Sequence, residues 1–426
     1  MARFHWHVTL MSGLAFAGNG VDLGVISFSM PGFRDEWGLS AGELAFMLPC
    51  ISLGQVVGAL LMGGIADRLG RRVAFCTTSV VAGAATGLAG LASGPVMMSA
   101  LLFLGGIGFG GVAPSASSLV SEFAPPAHRG KMMAWTQVLW VTGWCIAAFG
   151  GGWFAQQLGW RGILGIGALP VLTGLMALWT VPESPRFLAA RGRHEAADRL
   201  VAELKRRHGV HVAVGSGGAR PVPSQRAGLS ELWSRPYRRR TLVIWTTWPA
   251  MTAAYAGPMM WLPVLLGELG EAALQISAFV ALTMFPATLI SANRIDHSGR
   301  KPLMVASLGA AALGALLLSV GTGPVVVIAG AIGIAAGTIA AWPVVLSWAS
   351  ELYPTRMRAT AAGWGSGVAR AGGVFAPVVL GSLMVDESVG RQLAMAPFAV
   401  LLGGAVLSVV LFAEETAGRS LEEISQ

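Results

Sequence analysis

The sequence predicts an all-α membrane protein of twelve transmembrane helices, arranged as two pseudo-symmetric six-helix bundles. Three observations predict it. The 426 residues have a mean hydropathy of +0.64, 54% of them are apolar and only 12% are charged. A soluble core cannot absorb that much apolar material, whereas spans of about 20 apolar residues each can. Apolar runs lie at roughly 8–31, 43–66, 73–93, 96–120, 132–155, 161–181, 241–266, 274–295, 302–321, 325–348, 359–385 and 392–413. The second half repeats the first at a constant offset of 229: Asp67 on Asp296, Gly70 on Gly299, Arg71 on Arg300, Pro114 on Pro343, Glu122 on Glu351, Arg129 on Arg358 and Trp135 on Trp364.

Taken in order, the first span begins after Arg3. Its apolar run continues past Ala17 to Met30, so it reads as an uncleaved helix rather than a signal peptide. The second and third spans are joined by Gly63 to Arg72, GGIADRLGRR, a tight turn carrying one acid and three arginines. Its copy is Ala292 to Lys301, ANRIDHSGRK. Glu122 and Arg129 follow the fourth span, Glu351 and Arg358 the tenth, and Pro182 to Arg186 (PESPR) the sixth.

These boundaries divide the chain into an N-terminal bundle (1–181), a cytoplasmic linker (182–240) and a C-terminal bundle with a short cytoplasmic tail (241–426). In the linker, His194 to His208 puts Ala197, Leu200, Val201 and Leu204 on one helical face and Arg199, Lys205 and Arg206 on the other. That pattern suits a helix lying along the membrane surface. Gly215 to Gly228 reads as flexible linker, and Arg235 to Arg240 as an anchor near anionic headgroups.

Charge and composition exclude several function classes. The net charge of +8 and pI near 10.2 come from basic residues in short loops between spans, not from one nucleic-acid-binding surface. With both termini cytoplasmic, every Lys and Arg falls on the cytoplasmic side except Arg34, Arg161 and Arg391 in outer loops and Arg370 within a span. Cys50, Cys76 and Cys145 lie in spans without metal-ligand spacing, and the seven histidines fall in cytoplasmic segments. No Ser/His/Asp set, metal cluster or phosphate loop appears, so neither an enzyme nor a cofactor is expected, the proton as coupling ion aside.

The repeated loop, the two E-x6-R pairs and PESPR together resemble the major facilitator superfamily and its sugar-porter-like branch over nearly the whole chain. Gly20-Val21-Asp22-Leu23 followed by Pro31, with Gly363 to Pro377 (GWGSGVARAGGVFAP), resembles the aromatic-acid/H+ symporter and organic-ion branches. The resemblance implies a gate at the cytoplasmic ends that holds the outward-open state. It is carried by Asp67, Arg68, Arg71, Glu122, Arg129, Glu183 and Arg186, and in the second half by Asp296, Arg300, Glu351 and Arg358. There His297 and Ser298 replace Arg and Leu, so a weaker latch is expected. It also implies a first-helix acid for coupling and an eleventh-helix arginine for anion binding. Asn19 stands where the aromatic-acid carriers show the first acid of Asp-Gly-x-Asp.

The residues support the same two positions independently. Asp22 and Arg370 lie roughly 18 to 21 Å from the cytoplasmic ends of their helices at ~1.5 Å per residue, near the middle of a ~30 Å apolar core. A charge there costs on the order of 3 kcal/mol, so it has a purpose or a partner. Either Asp22 carries a proton and Arg370 an anion, or the two form a structural ion pair. Asn19, Gln137, Trp140, Tyr255, Trp261 and Trp342 supply polar and aromatic groups at matching depth and complete the candidate substrate site with Arg370. The expectation is a monomeric carrier in the cell (plasma or inner) membrane that imports a small organic anion, such as an aromatic or other carboxylate, with a proton. The alternatives are an organic-cation or drug antiporter or exporter that uses Asp22, and a membrane sensor in the same fold that binds without transporting.

Overall fold

A computed structural model describes residues 3–123, 129–208, 228–354, 357–384 and 390–416. Among them, ten segments are long and apolar enough to cross a membrane. Twelve crossings result. The segment 135–180 is divided at Gly159, whose left-handed φ of 62° only glycine adopts freely, and the seventh span is interrupted within its length. That span runs as α11 (Arg238–Ala254), one π-helical stretch (Tyr255–Met259) and α12 (Leu262–Leu265). Pro258 sits inside the wide turn, where its missing N–H leaves no α-helical bond to break.

The chain forms two compact units. The N-terminal one comprises residues 1–29, 50–150 and 154–222, and the C-terminal one residues 30–49, 151–153 and 223–426. In the first, α1 (Arg3–Trp37) lies against α6 (Arg129–Ile166) at backbone distance: a Cβ on Gly20 would meet the carbonyl of Trp140, and one on Gly143 that of Ala17. This close approach sets α1 side chains directly over α6. The unit also holds α3 (Pro49–Leu69), α4 (Arg71–Ala89), α5 (Pro95–Phe123) and α7 (Leu169–Thr180).

The linker carries α8 (Pro185–Ala190) and α9 (His194–His208). The apolar face of α9 docks on protein rather than on the membrane surface. Ala197 and Leu204 are buried, and Leu204 joins a core cluster with Phe4, Phe123 and Val181 against which Leu200 packs. Its polar face remains in water, with Arg199 on Glu195 and Arg207 on Glu203, each at 3.0 Å.

In the C-terminal unit, α15 (Arg300–Val320), α16 (Pro324–Glu351) and α18 (Gly390–Phe412) pack together, and α17 (Arg358–Leu383) packs on α11. Arg240, at the start of α11, is not a headgroup anchor. Its guanidinium is turned inward onto Glu414 Oε2 at 2.9 Å and Leu352 O at 3.0 Å.

Candidate functional site

Asp22 is fully buried, with 0% exposure. The hydroxyl of Thr86 on α4 is the polar group beside its carboxyl, yet that hydroxyl donates to Ala82 O at 3.1 Å. Neither carboxyl oxygen has a hydrogen-bond partner among the described residues. The Thr86 hydroxyl is donor and acceptor at once: turned to Ala82 O it leaves lone pairs for a protonated Asp22, and turned to Asp22 it gives its proton to the carboxylate. One turn earlier on α1, Asn19 Oδ1 accepts from Trp140 Nε1 at 2.9 Å. Two candidate substrate residues are thus brought together, and the Trp140 ring stacks with Trp144 at 6.2 Å. Gln137, about one turn before Trp140 on α6, is half-buried.

In the C-terminal unit, Arg370 is half-buried on α17 and makes no hydrogen bond or ion pair among the described residues. Tyr255 opens the π-helical stretch and Trp342 is half-buried on α16. Trp261 is fully buried, which closes it to a ligand in this structure. Among the described residues no group of three or more His, Cys, Asp or Glu could hold a metal ion.

At the loop end of the N-terminal unit, Glu183 caps α4. Its Oε1 accepts from the backbone N–H of Arg71 at 2.8 Å, of Arg72 at 3.2 Å and of Ser184 at 2.9 Å. The turn before α4 is Gly70, at φ 107°. A carboxylate placed on the first N–H groups of a helix meets both its unpaired donors and its positive dipole end. Ser184 in turn caps α8, its Oγ accepting from Phe187 N at 3.0 Å. Arg191 donates to Arg68 O at 2.6 Å, while the Arg68 side chain is exposed.

The C-terminal unit has the same device, held by a residue that the constant offset does not reveal. Glu415 Oε1 accepts from Arg300 N at 2.9 Å and Thr416 N at 3.0 Å, and Oε2 from Lys301 N at 3.0 Å. Gly299 makes the turn, at φ 85°. Arg300 pairs with Glu351 at 3.1 Å, and the Thr416 hydroxyl donates to the other Glu351 oxygen at 2.6 Å. The side chains of Asp67, Glu122, Arg129, Arg186, Asp296 and Arg358 lie outside the described residues. Glu415, Thr416 and Thr86 are the site residues that sequence reasoning misses. Glu415 stands 232 positions after Glu183, three out of register with the repeat.

The family described as "Sugar (and other) transporter" matches residues 26–426. The niacin transporter NiaP of Acinetobacter baylyi is 32% identical over 428 residues, covering 100% of this chain and 97% of that one. The gallate transporter of Pseudomonas putida is 28% identical, covering 90% and 86%. The organic cation/carnitine transporter 7 of Arabidopsis thaliana is 27% identical, covering 99% and 93%. Among solved structures, the xylose transporter XylE from E. coli in a partially occluded inward open conformation superposes with a TM-score of 0.78 at 20% identity, covering 98% of this chain and 100% of that one.

Proposed function

The chain belongs to the sugar (and other) transporter family of the major facilitator superfamily, and from that premise we propose that it imports a small organic anion, an aromatic carboxylate first of all, together with a proton. It is a multi-pass membrane transporter rather than an enzyme. One observation carries the finer reading: among the described residues each unit holds one acidic or basic side chain at mid-membrane depth, Asp22 and Arg370, and neither has a countercharge beside it. An arginine kept in an apolar bundle without a carboxylate of its own suits a carboxylate brought by the substrate, which the planar guanidinium meets with two parallel bonds. Niacin and gallate, named for two of the relatives, are both aromatic carboxylic acids.

Asp22 supplies the proton. Its side chain is buried in an apolar bundle with Thr86 as its polar neighbour, and no cation lies beside it among the described residues. A carrier loaded with anion and proton, or with neither, avoids burying an excess charge, whereas a half-loaded one does not. That penalty couples the two gradients. The excess of Lys and Arg in the loops on one side of the spans supports cytoplasmic termini, and we read the carrier as a monomer in the cell (plasma or inner) membrane. A second reading, an organic-cation antiporter or exporter using Asp22 as the cation's partner, is favoured by the plant relative and by the unpaired carboxyl itself.

Uptake into proteoliposomes of a panel of carboxylates and organic cations, with and without a pH gradient, separates the two. Carboxylate uptake should rise when the outside is acidic. Arg370→Lys should weaken carboxylate binding about tenfold or more, because ammonium keeps the charge and loses the fork. Arg370→Ala that binds anions as tightly as wild type assigns Arg370 to structure and removes the anion site.

A further inference from the structure

Between Ala15 and Met30 every residue of α1 is buried except one, Asn19. The exception is a primary amide at mid-membrane depth. An amide facing hydrocarbon leaves its polar atoms without partners at considerable cost, so this opening meets a polar space or a ligand. The orientation of the amide is fixed. Trp140 Nε1 can only donate, so the atom it meets at 2.9 Å is the Asn19 carbonyl oxygen, and the NH2 group points away from it. Ala17, Gly20, Gly24, Trp140 and Gly143 lock this arrangement, because the backbones of α1 and α6 touch. What Asn19 presents away from Trp140 is therefore its pair of donors, with its oxygen held against the N–H edge of the indole.

We infer that Asn19 is a specificity residue of the transport site: it donates to a lone-pair acceptor in the substrate ring, a pyridine-type nitrogen, and so selects an N-heteroaromatic acid over its benzene counterpart. The inference rests on the transport reading above and deepens it. A benzene C–H in place of the ring nitrogen leaves the amide donor facing carbon, without an acceptor. Sites that hydrogen-bond one atom of a substrate reject analogues lacking it because the polar group of the site is then left unpaired.

The test is ligand binding to the purified carrier by calorimetry, with four probes, pyridine-3-carboxylate, benzoate, pyridine-3-carboxamide and benzamide, and with 3-aminobenzamide as a donor-bearing control. Wild type should prefer the pyridine of each pair by about tenfold, the worth of one such bond. Asn19→Leu removes the donors without adding a second acid beside Asp22, so the pyridine-to-benzene ratio should fall to about one in the neutral pair. Trp140→Phe frees the Asn19 oxygen and lets the amide turn over. It should raise the affinity for 3-aminobenzamide, a donor, relative to pyridine-3-carboxamide, an effect that a purely structural Asn19 would not produce. A pyridine preference that survives Asn19→Leu overturns the assignment, as does a wild type that binds none of the four. The anion reading fails on a different comparison, equal binding of the carboxylate and carboxamide of each ring with no change in Arg370→Ala.

Discussion

The two turns that follow the second and eighth spans are built alike and wired differently. Both place a glycine at positive φ, Gly70 at 107° and Gly299 at 85°, and both lay a glutamate from the end of the last helix of the bundle on the first N–H groups of the next helix. Glu183 gathers its three donors on Oε1 alone, whereas Glu415 spreads them over both oxygens. The C-terminal turn then adds the Arg300–Glu351–Thr416 network. The positions at which the copies diverge, Arg68-Leu69 against His297-Ser298, are exposed in both. The comparison teaches that this loop is kept by its backbone geometry, with the acid serving as a helix cap, and that the replaced residues in the second copy do not touch the cap.

The largest break in that parity comes from the glycines. An alanine Cβ at either site would run into the capping carboxylate, of Glu183 at Gly70 and of Glu415 at Gly299, and the positive φ adds strain. Gly70→Ala and Gly299→Ala should each cost about 2–3 kcal/mol and lower the thermal midpoint in detergent by several degrees. A harmless alanine at either glycine breaks the account of that turn. The glutamates give a smaller and asymmetric effect. Glu183→Gln keeps one carbonyl oxygen for all three donors and should cost about 1 kcal/mol. Glu415→Gln turns an NH2 toward an N–H that needs an acceptor and should cost about 2 kcal/mol. Amide hydrogen exchange reads this locally, faster at Arg300 and Lys301 in Glu415→Gln than at Arg71 and Arg72 in Glu183→Gln; equal acceleration would mean the wiring difference has no energetic content. The smallest effect belongs to His297→Arg with Ser298→Leu, which restores the first copy's residues at exposed sites and should change stability by no more than about 0.5 kcal/mol.

The spans and the repeat are legible because apolar length and a gapless offset survive sequence divergence. The π-helical stretch at Tyr255–Met259 is not, since Pro258 and Gly257 fit an ordinary bend equally well. Glu415 escapes because three extra positions hide it from the offset that finds Asp296 and Glu351. The apolar face of α9 is readable from Ala197, Leu200 and Leu204, but periodicity tells which face is apolar and not what covers it. The cover is Phe4 and Phe123, from distant parts of the chain. Asp22 and Arg370 stand out by the cost of a charge at that depth. The neighbour of Asp22, Thr86, and the partner of Asn19, Trp140, follow only from helix packing.

Coupling is the claim on which the functional reading turns, and Asp22 tests it most directly. Asp22→Asn is a permanent mimic of the protonated acid. In proteoliposomes it should still bind an aromatic carboxylate and exchange it across the membrane, yet fail to concentrate it under an imposed pH gradient and lose the pH dependence of uptake. Accumulation by Asp22→Asn that still follows the imposed pH gradient would contradict Asp22 as the site where the proton is carried.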